Sequence, residues 1–475
     1  MNRPPSPLSR VRAWSAIVAL ATLSLVLPTA ARAQTAPGAP GDNAIWTPAD
    51  KDGYGTSTTR SSKVWHTLDD GRLTEVYYPD LGTPSVRTLD FVVSDGETFA
   101  ERDSDAAIRA VDLADSRSLT YRQVNEEPGR FRITKTYVTD PGRNVLLVDV
   151  RLESLTGKAL DAYAVYDPGL GNDGMDDSGT SAGDALLASD AGSPVSSALV
   201  ASPGFTKTSN GYLGTSDGWK DLADFRMDWT YDSAPSGNVV QTGKTPLTGL
   251  GDARDLTLAV GFGPRTQPAL GAAKASLAAG FTSVRAAYES GWHNYLGKLK
   301  GVPPSASGHA TTYNVSVMTL AAHEDKTHRG GYIASPTMPW VWGTGLENPS
   351  GAYHLVWARD LYQIATALIA AGDSAGANRA VDYLFFTQQK AEARSRRTPQ
   401  STERRIGETC NSTRSRSRSC SRGSSGAPTR TSTRTTSRRR PISSSTSPAR
   451  RSPLKSAGRT RAAIRRGRSR PRSPA

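Results

Sequence analysis

The 475-residue chain has two cysteines, Cys410 and Cys420, and neither lies in the first 390 residues. No disulfide framework can hold that stretch together, so it must be stabilised by burial, for which roughly 350 residues are ample. Aromatic residues are missing from the other end: residues 391–475 contain no Phe, Tyr or Trp, while 23 Arg and 19 Ser fill nearly half of that segment. Such a composition buries too little apolar surface to offset chain entropy, and residues 391–475 are expected to be a disordered basic tail. Long apolar runs are scarce too. The one candidate, Ala13 to Leu27, follows Arg3, Arg10 and Arg12 and precedes the small-x-small stretch Ala31-Arg32-Ala33. Residues 1–33 therefore read as a signal peptide cleaved near Ala33, with a short membrane anchor as the lesser alternative. Export, secreted or periplasmic, is the expectation.

The net charge of +14 misleads about the body. The tail carries +21, from 23 Arg and 1 Lys against 3 Glu, which leaves residues 1–390 at −7 with 34 basic and 41 acidic side chains. Without the four arginines of the signal peptide the body stands at −11. A basic balance that would suggest phosphate binding thus belongs to the tail alone. Nucleic-acid binding through that tail is one alternative function, but an exported acidic body argues against it.

Residues 34–47, rich in Pro, Ala and Gly, read as a linker. Residues 48–266 then follow a β pattern. Lys63–Leu68 and Arg72–Tyr78 alternate around Asp69-Asp70-Gly71, a hairpin signal, and Arg130–Val138 turns through Asp140-Pro141-Gly142-Arg143 into Asn144–Val150. Asn210-Gly211 reads as another tight turn, and Asp255–Phe262 would close the set. Many strands without intervening helices imply a large antiparallel β-sandwich. The period switches at residues 267–302, where Leu277, Phe281, Val284, Tyr288, Trp292, Tyr295 and Leu299 take helical spacing until Pro303-Pro304. In residues 303–390, Thr311–Ala322 is a helix candidate and Gly330–Pro349 a loop. An αα-hairpin follows, with apolar faces at Leu361, Ile364, Ala365, Leu368 and Ile369, then at Ala377, Ala380, Val381, Leu384 and Phe385.

The candidate site lies at the mouth of that hairpin, in Gly351-Ala352-Tyr353-His354-Leu355-Val356-Trp357-Ala358-Arg359-Asp360. Arg359 beside Asp360 offers fixed donors and a fixed acceptor, which suits a neutral ligand with many hydroxyls, and Tyr353 and Trp357 could add flat apolar surfaces. A structural ion pair with two core aromatics is the alternative.

Together with Ala334-Ser335-Pro336-Thr337-Met338-Pro339-Trp340, this element resembles the bacterial glucoamylase and glucodextranase family, glycoside hydrolase family 15, over about residues 40–390. The resemblance implies a glucodextranase-like amino-terminal sandwich followed by an (α/α)6 barrel, of which only the first helices would be present. It implies that Tyr353, Trp357, Arg359 and Asp360 bind the terminal glucose of an α-glucan or maltooligosaccharide. It also implies an inverting hydrolysis by two glutamates, without a cofactor. Neither glutamate is identifiable; Glu392, Glu403 and Glu408 sit in no matching context. A frameshift near Lys390 accounts for both observations. Under one codon shift, Lys455 to Arg466 can encode Glu-Arg-Trp-Glu-Asp-Gln-Gly-Gly-Tyr-Ser-Pro, which is like the family's missing acid motif. This chain is therefore expected to be an inactive member; a non-catalytic carbohydrate-binding sandwich is the other reading. Neither α-1,4 against α-1,6 preference nor oligomeric state is legible.

Three further patterns carry less. Gly169-Leu170-Gly171-Asn172-Asp173-Gly174 matches a dinucleotide fingerprint by letter, but Met175-Asp176-Asp177-Ser178-Gly179 opens no helix. An acidic surface loop is expected there, with calcium an outside possibility. His323-Glu324-Asp325-Lys326-Thr327-His328 spaces its histidines by five rather than four and reads as a solvated helix end. Trp219, Trp229 and Tyr231 could form a sugar platform, although packing is the favoured role.

Overall fold

The computed structural model describes residues 33–46, 51–172, 174–336 and 352–388. All of the expected signal peptide but its last residue, the expected basic tail with both cysteines and residues 337–351 lie outside the described residues, as does most of the loop expected at 330–349.

Two antiparallel sheets face each other across one apolar core. The eight-stranded sheet runs Gly53–Thr56, Trp65–Asp69, Arg72–Tyr77, Pro84–Ser94, Asp161–Pro168, Val239–Lys244 and Lys207–Tyr212, with Ala100–Arg102 paired onto Pro84–Ser94. The nine-stranded sheet runs Ser233–Gly237, Asp177–Ala182, Ala185–Asp190, Ser196–Ser202, Asp255–Gly263, Val145–Ser154, Phe131–Thr139, Tyr121–Glu127 and Ile108–Leu113. Trp65, Phe91 and Tyr166 from the first sheet share a buried cluster with Ile133, Leu146 and Val260 from the second. This is the sandwich that the alternating sequence implied.

The local signals explain the hairpins. Asp69 pairs with Arg72, and the two residues between them, Asp70 and Gly71, both take positive φ (46° and 82°), the geometry that matches strand twist. At the second turn the Asp140 carboxylate accepts the Gly142 N–H at 2.7 Å. Asp255–Gly263 lies in mid-sheet, between Ser196–Ser202 and Val145–Ser154.

Asn210-Gly211 is not a turn. Both residues sit inside strand Lys207–Tyr212, paired with Gln241 and Val240. Burial overrides the dipeptide's local preference. The Asn210 amide donates to Ser181 Oγ at 2.9 Å and to the Tyr231 and Asp232 carbonyls at 3.0 Å each, and accepts from Gln241 at 2.6 Å. Gly211 is needed because a Cβ there would come within 1.9 Å of the Ser216 carbonyl oxygen. One short helix, α1 (Gly218–Asp221), also interrupts the expected all-strand region, capped by the Asp217 carboxylate.

Helix α2 (Thr266–Ala279) lies on strand Asp255–Gly263 with its small face inward, Ala269, Ala273 and Ser276. Gly280 breaks it, and α3 (Phe281–Gly297) buries Val284, Tyr288 and Trp292, as the spacing predicts. Tyr288 donates to the Leu119 carbonyl at 3.1 Å and Trp292 to the Thr56 carbonyl at 3.0 Å, so α3 is pinned to the sandwich. The Ala322 carbonyl at the end of α4 (Ala310–Ala322) accepts from Tyr54 at 2.8 Å and Trp65 at 3.1 Å.

Helices α5 (Ala358–Ala371) and α6 (Ser374–Asp382) form the expected hairpin. Gly372 ends α5 in the left-handed conformation, and Asp373 caps α6 through the Gly376 N–H at 2.7 Å. Their expected faces are only partly covered. Leu361, Ile364, Leu368, Ala377 and Ala380 are buried, while Ile369, Val381 and Phe385 are about half exposed and Phe386 is 84% exposed.

The segment after α4 departs most from its sequence reading. His323, Glu324, Asp325 and Lys326 are buried at the junction of sandwich and helices rather than solvated. Lys326 Nζ donates to Thr56 Oγ1 at 2.6 Å and to the Ser62 carbonyl at 2.7 Å, and lies 4.8 Å from the centre of the Trp65 ring. Asp325 accepts the Leu81 N–H at 2.7 Å. Glu324 receives a two-pronged Arg379 guanidinium at 2.7 Å on each oxygen, and Arg329 at 3.4 Å. Glu324, Asp325 and Lys326 each find a hydrogen-bond partner far away in sequence, which is what permits their burial.

Candidate functional site

The short turn Ala352–His354 holds Tyr353, the first turn of α5 holds Arg359 and Asp360, and Trp357 is the residue just before α5. Two backbone bonds fix this segment against Ala334–Pro336: Ser335 N–H donates to the Tyr353 carbonyl at 2.9 Å, and Ala334 N–H to the Leu355 carbonyl at 3.2 Å. His354 and Val356 are buried, and the Gln388 amide donates to the Val356 carbonyl at 2.7 Å. The buried residues alternate with Tyr353, Leu355 and Trp357, which are half-buried. This alternation anchors one set and leaves the other, including both aromatics, partly open.

Trp357 precedes α5 in extended conformation, and its carbonyl accepts the Leu361 N–H at 2.8 Å. Asp360 falls in the first helical turn, where the helix dipole favours a carboxylate. Arg359 Nη2 donates to Asp360 Oδ2 at 3.1 Å, and its guanidinium carbon lies 5.8 Å from the Trp357 ring centre. The Arg359 side chain is 72% exposed and that of Asp360 30%. An ion pair this exposed contributes about 0–1 kcal/mol, so stability does not explain it. A guanidinium has five N–H donors and a carboxylate about four acceptor positions. Most of both remain available to a ligand with hydroxyl groups. The pair is thus open to solvent rather than enclosed between core aromatics.

Sequence reasoning missed two supports. Tyr77, from strand Arg72–Tyr77, packs its ring on His354 with centroids 5.1 Å apart, and its hydroxyl donates to the Pro336 carbonyl. The Glu324–Arg379–Arg329 group ties α6 to the turn after α4. A run of mixed charge directly after an apolar helix was the available signal for the second; none existed for the first.

The remaining candidates separate from this group. In the Gly169–Gly174 loop, Leu170 is buried, and its N–H is accepted by the buried Asp177 carboxylate at 3.1 Å. The loop is thus partly interior rather than a plain acidic surface, because Asp177 turns inward to cap it; burial pushes the Asp177 carboxyl well above its usual pKa. Among the described residues, no group of three or more His, Cys, Asp or Glu side chains is arranged to hold a metal ion. His323 and His328 bond to the Thr319 carbonyl and to Asp325, respectively. Trp219 packs beside a small second core with the Arg102 guanidinium 4.4 Å above it, and the Trp229 and Tyr231 rings sit 6.1 Å apart, tilted by 45°. Among the described residues no helix is long and apolar enough to cross a membrane.

A two-sheet antiparallel sandwich followed by helices, with the Arg359–Asp360 pair opening a helical hairpin, defines a protein whose β region precedes a helical one. Residues 36–297 match the family described as glucodextranase, domain N, and residues 308–436 match glycosyl hydrolases family 15. The chain belongs to that family, with the glucodextranase-type N domain ahead of the hydrolase region. The second match runs past the change of composition near Lys390. The chain is 37% identical over 353 residues to a glucoamylase of Clostridium sp. (strain G0005), covering 73% of this chain and 49% of the relative. A crystal structure of a bacterial glucoamylase complexed with acarbose aligns at a TM-score of 0.68 and 36% identity, covering 74% of this chain and 52% of that one. The chain thus spans about half the length of each.

Proposed function

We propose that the chain derives from an exported, exo-acting glucan hydrolase of the glucoamylase type, which releases glucose from non-reducing ends of α-glucans. The observation that carries this reading is the 37% identity to a glucoamylase, running through both the sandwich and the helical region. In this reading residues 48–266 are the N domain, 267–302 linker helices and 303–390 the start of an (α/α)6 barrel. Arg359 and Asp360 hold the hydroxyls of the terminal glucosyl unit, because a sugar hydroxyl donates and accepts at once and this pair offers both. Trp357 and Tyr353 cover the ring's apolar faces.

Hydrolysis with inversion needs a general acid on the leaving oxygen and a base for the attacking water. No described residue is assigned either role. Loss of a general acid alone costs about 10²- to 10⁴-fold, so this chain is expected to bind sugar without turning it over. The proposed cause is the frameshift near Lys390, which stop codons in the shifted frame of the gene would refute. Calorimetric titration of the full chain with acarbose, beside a glucose-release assay on maltodextrin, tests the rest. Binding should be measurable, glucose release at background, and Asp360→Asn should weaken acarbose affinity by about tenfold or more, as expected for a charge-assisted hydrogen bond. Equal affinity in the variant, or normal turnover by the wild type, would defeat the proposal.

A further inference from the structure

Tyr77 belongs to the sandwich, 259 residues before the carbonyl that its hydroxyl meets at Pro336. It is fully buried, and burial pushes its phenol pKa well above the ordinary tyrosine value, so it stays a neutral donor across the working range. The same side chain makes a second contact, its ring against that of His354, itself buried. Pro336 directly follows Ala334-Ser335, and His354 lies between Tyr353 and Leu355, the residues to which the Ser335 and Ala334 backbone bonds run. One side chain therefore clamps both strips from below. Tyr353 and Trp357 flank His354 in sequence, and Arg359 and Asp360 follow within six residues.

We infer that Tyr77 is a positioning residue: the N domain holds the sugar-gripping segment in place through this tyrosine. The inference rests on the proposed sugar-binding role of Tyr353, Trp357, Arg359 and Asp360, but its mechanical part can be tested without ligand. The ring supplies a flat support for His354, and the hydroxyl fixes the carbonyl at the end of Ala334–Pro336. Loss of the hydroxyl alone leaves the packing intact while freeing that end of the zipper.

The test compares Tyr77→Phe with Tyr166→Phe in the full chain. Tyr166 is an equally buried sandwich tyrosine whose hydroxyl donates to Ser197 Oγ at 2.8 Å. Each variant loses one buried tyrosine hydroxyl bond, so a general loss of sandwich stability should be similar in both. Hydrogen exchange is read on peptides covering residues 333–336 and 352–361, and acarbose affinity by titration. In Tyr77→Phe, exchange in these peptides should quicken by about tenfold and affinity fall by about five- to tenfold, the scale of one lost hydrogen bond. Tyr166→Phe should change neither. If the two variants exchange alike in these peptides, the clamp is refuted. If Tyr77→Phe loosens the peptides while the wild type binds no acarbose, the clamp stands and the sugar-binding reading falls. Should the wild type bind, Asp360→Asn lose binding and Tyr77→Phe keep full affinity, the positioning role is overturned.

Discussion

The sandwich and the helical hairpin differ in how completely they satisfy themselves. In the sandwich, residues from both sheets close over one core, and the strand pairs use their polar groups internally. The hairpin α5–α6 covers only part of its apolar surface, leaving Tyr362, Ile369, Val381, Phe385 and Phe386 exposed. Helical stability comes mostly from packing an apolar face rather than from propensity. The hairpin therefore depends on what it touches, and the described contacts include the junction at Glu324, which holds Arg379 of α6. The more self-sufficient part of the molecule carries none of the four proposed site residues; Arg359 and Asp360 lie on the hairpin, and Tyr353 and Trp357 precede it.

Breaking the junction should expose this asymmetry most strongly. Glu324 is the shared anion of Arg379 and Arg329, and it is 7% exposed. Removing one partner of a buried pair costs about 3–5 kcal/mol, and because Arg379 keeps 34% of its side chain in solvent the lower part of that range applies. Glu324→Ala is thus expected to lower stability by about 3 kcal/mol in chemical denaturation. Hydrogen exchange should show α6 and the turn at 327–332 opening while strands Phe131–Thr139 and Val145–Ser154 keep their protection. A uniform loss of protection in both regions would mean that the two parts unfold as one unit.

The sandwich has its own weak point, which sharpens the comparison. Asp90, on strand Pro84–Ser94, is fully buried, and neither carboxylate oxygen has a hydrogen-bond partner among the described residues. Burial, then the nearby Asp103 charge, raise its pKa to about 6, against the pull of Arg72 and Lys135. Because the folded value lies above the unfolded one, the protonated carboxyl favours folding. That contribution is complete below the unfolded pKa near 4 and is lost as pH rises through 6. A shift of about two pKa units corresponds to roughly 2–3 kcal/mol. Asp90→Asn should abolish this dependence. The variant's stability relative to wild type should rise by roughly 2 kcal/mol between pH 4 and pH 8, with the midpoint of the difference near pH 5–6. A pH-independent difference would show that Asp90 is not the group that titrates.

How far these features were legible follows from the range of the forces behind them. Alternation at Phe131, Ile133 and Tyr137, the Asp70-Gly71 turn and the Gly372-Asp373 stop depend on neighbours a few residues away, and each reads directly from sequence. The Arg359–Asp360 pair was legible for the same reason, since both groups lie in one helical turn. Asn210-Gly211 misled because its preference is local while its partners, Ser181, Tyr231 and Gln241, are not. His323–His328 misled in the same sense: a charged run signals solvent only when no distant charge is there to receive it, and Glu324 meets Arg379 from 55 residues away. Tyr77 fell in an alternating stretch, but no periodicity could name Pro336 as its partner.

The mildest perturbation tests the hairpin's open face. Phe386 is 84% exposed and Phe385 56%, so in the described arrangement neither ring has much apolar contact to lose. Surface substitutions away from caps and networks change stability by about 0.5 kcal/mol or less. The double variant Phe385→Ser, Phe386→Ser should therefore leave the denaturation midpoint almost unchanged and raise solubility, because it removes adjacent apolar patches from the surface. The uncovered state of the hairpin is the claim at risk. A loss of more than about 1 kcal/mol would mean that both rings are covered in solution, since removing well-packed phenylalanines costs about 3–5 kcal/mol each and partial cover scales down from there. The hairpin would then rest on two supported faces instead of one, and its dependence on the junction at Glu324 would shrink accordingly.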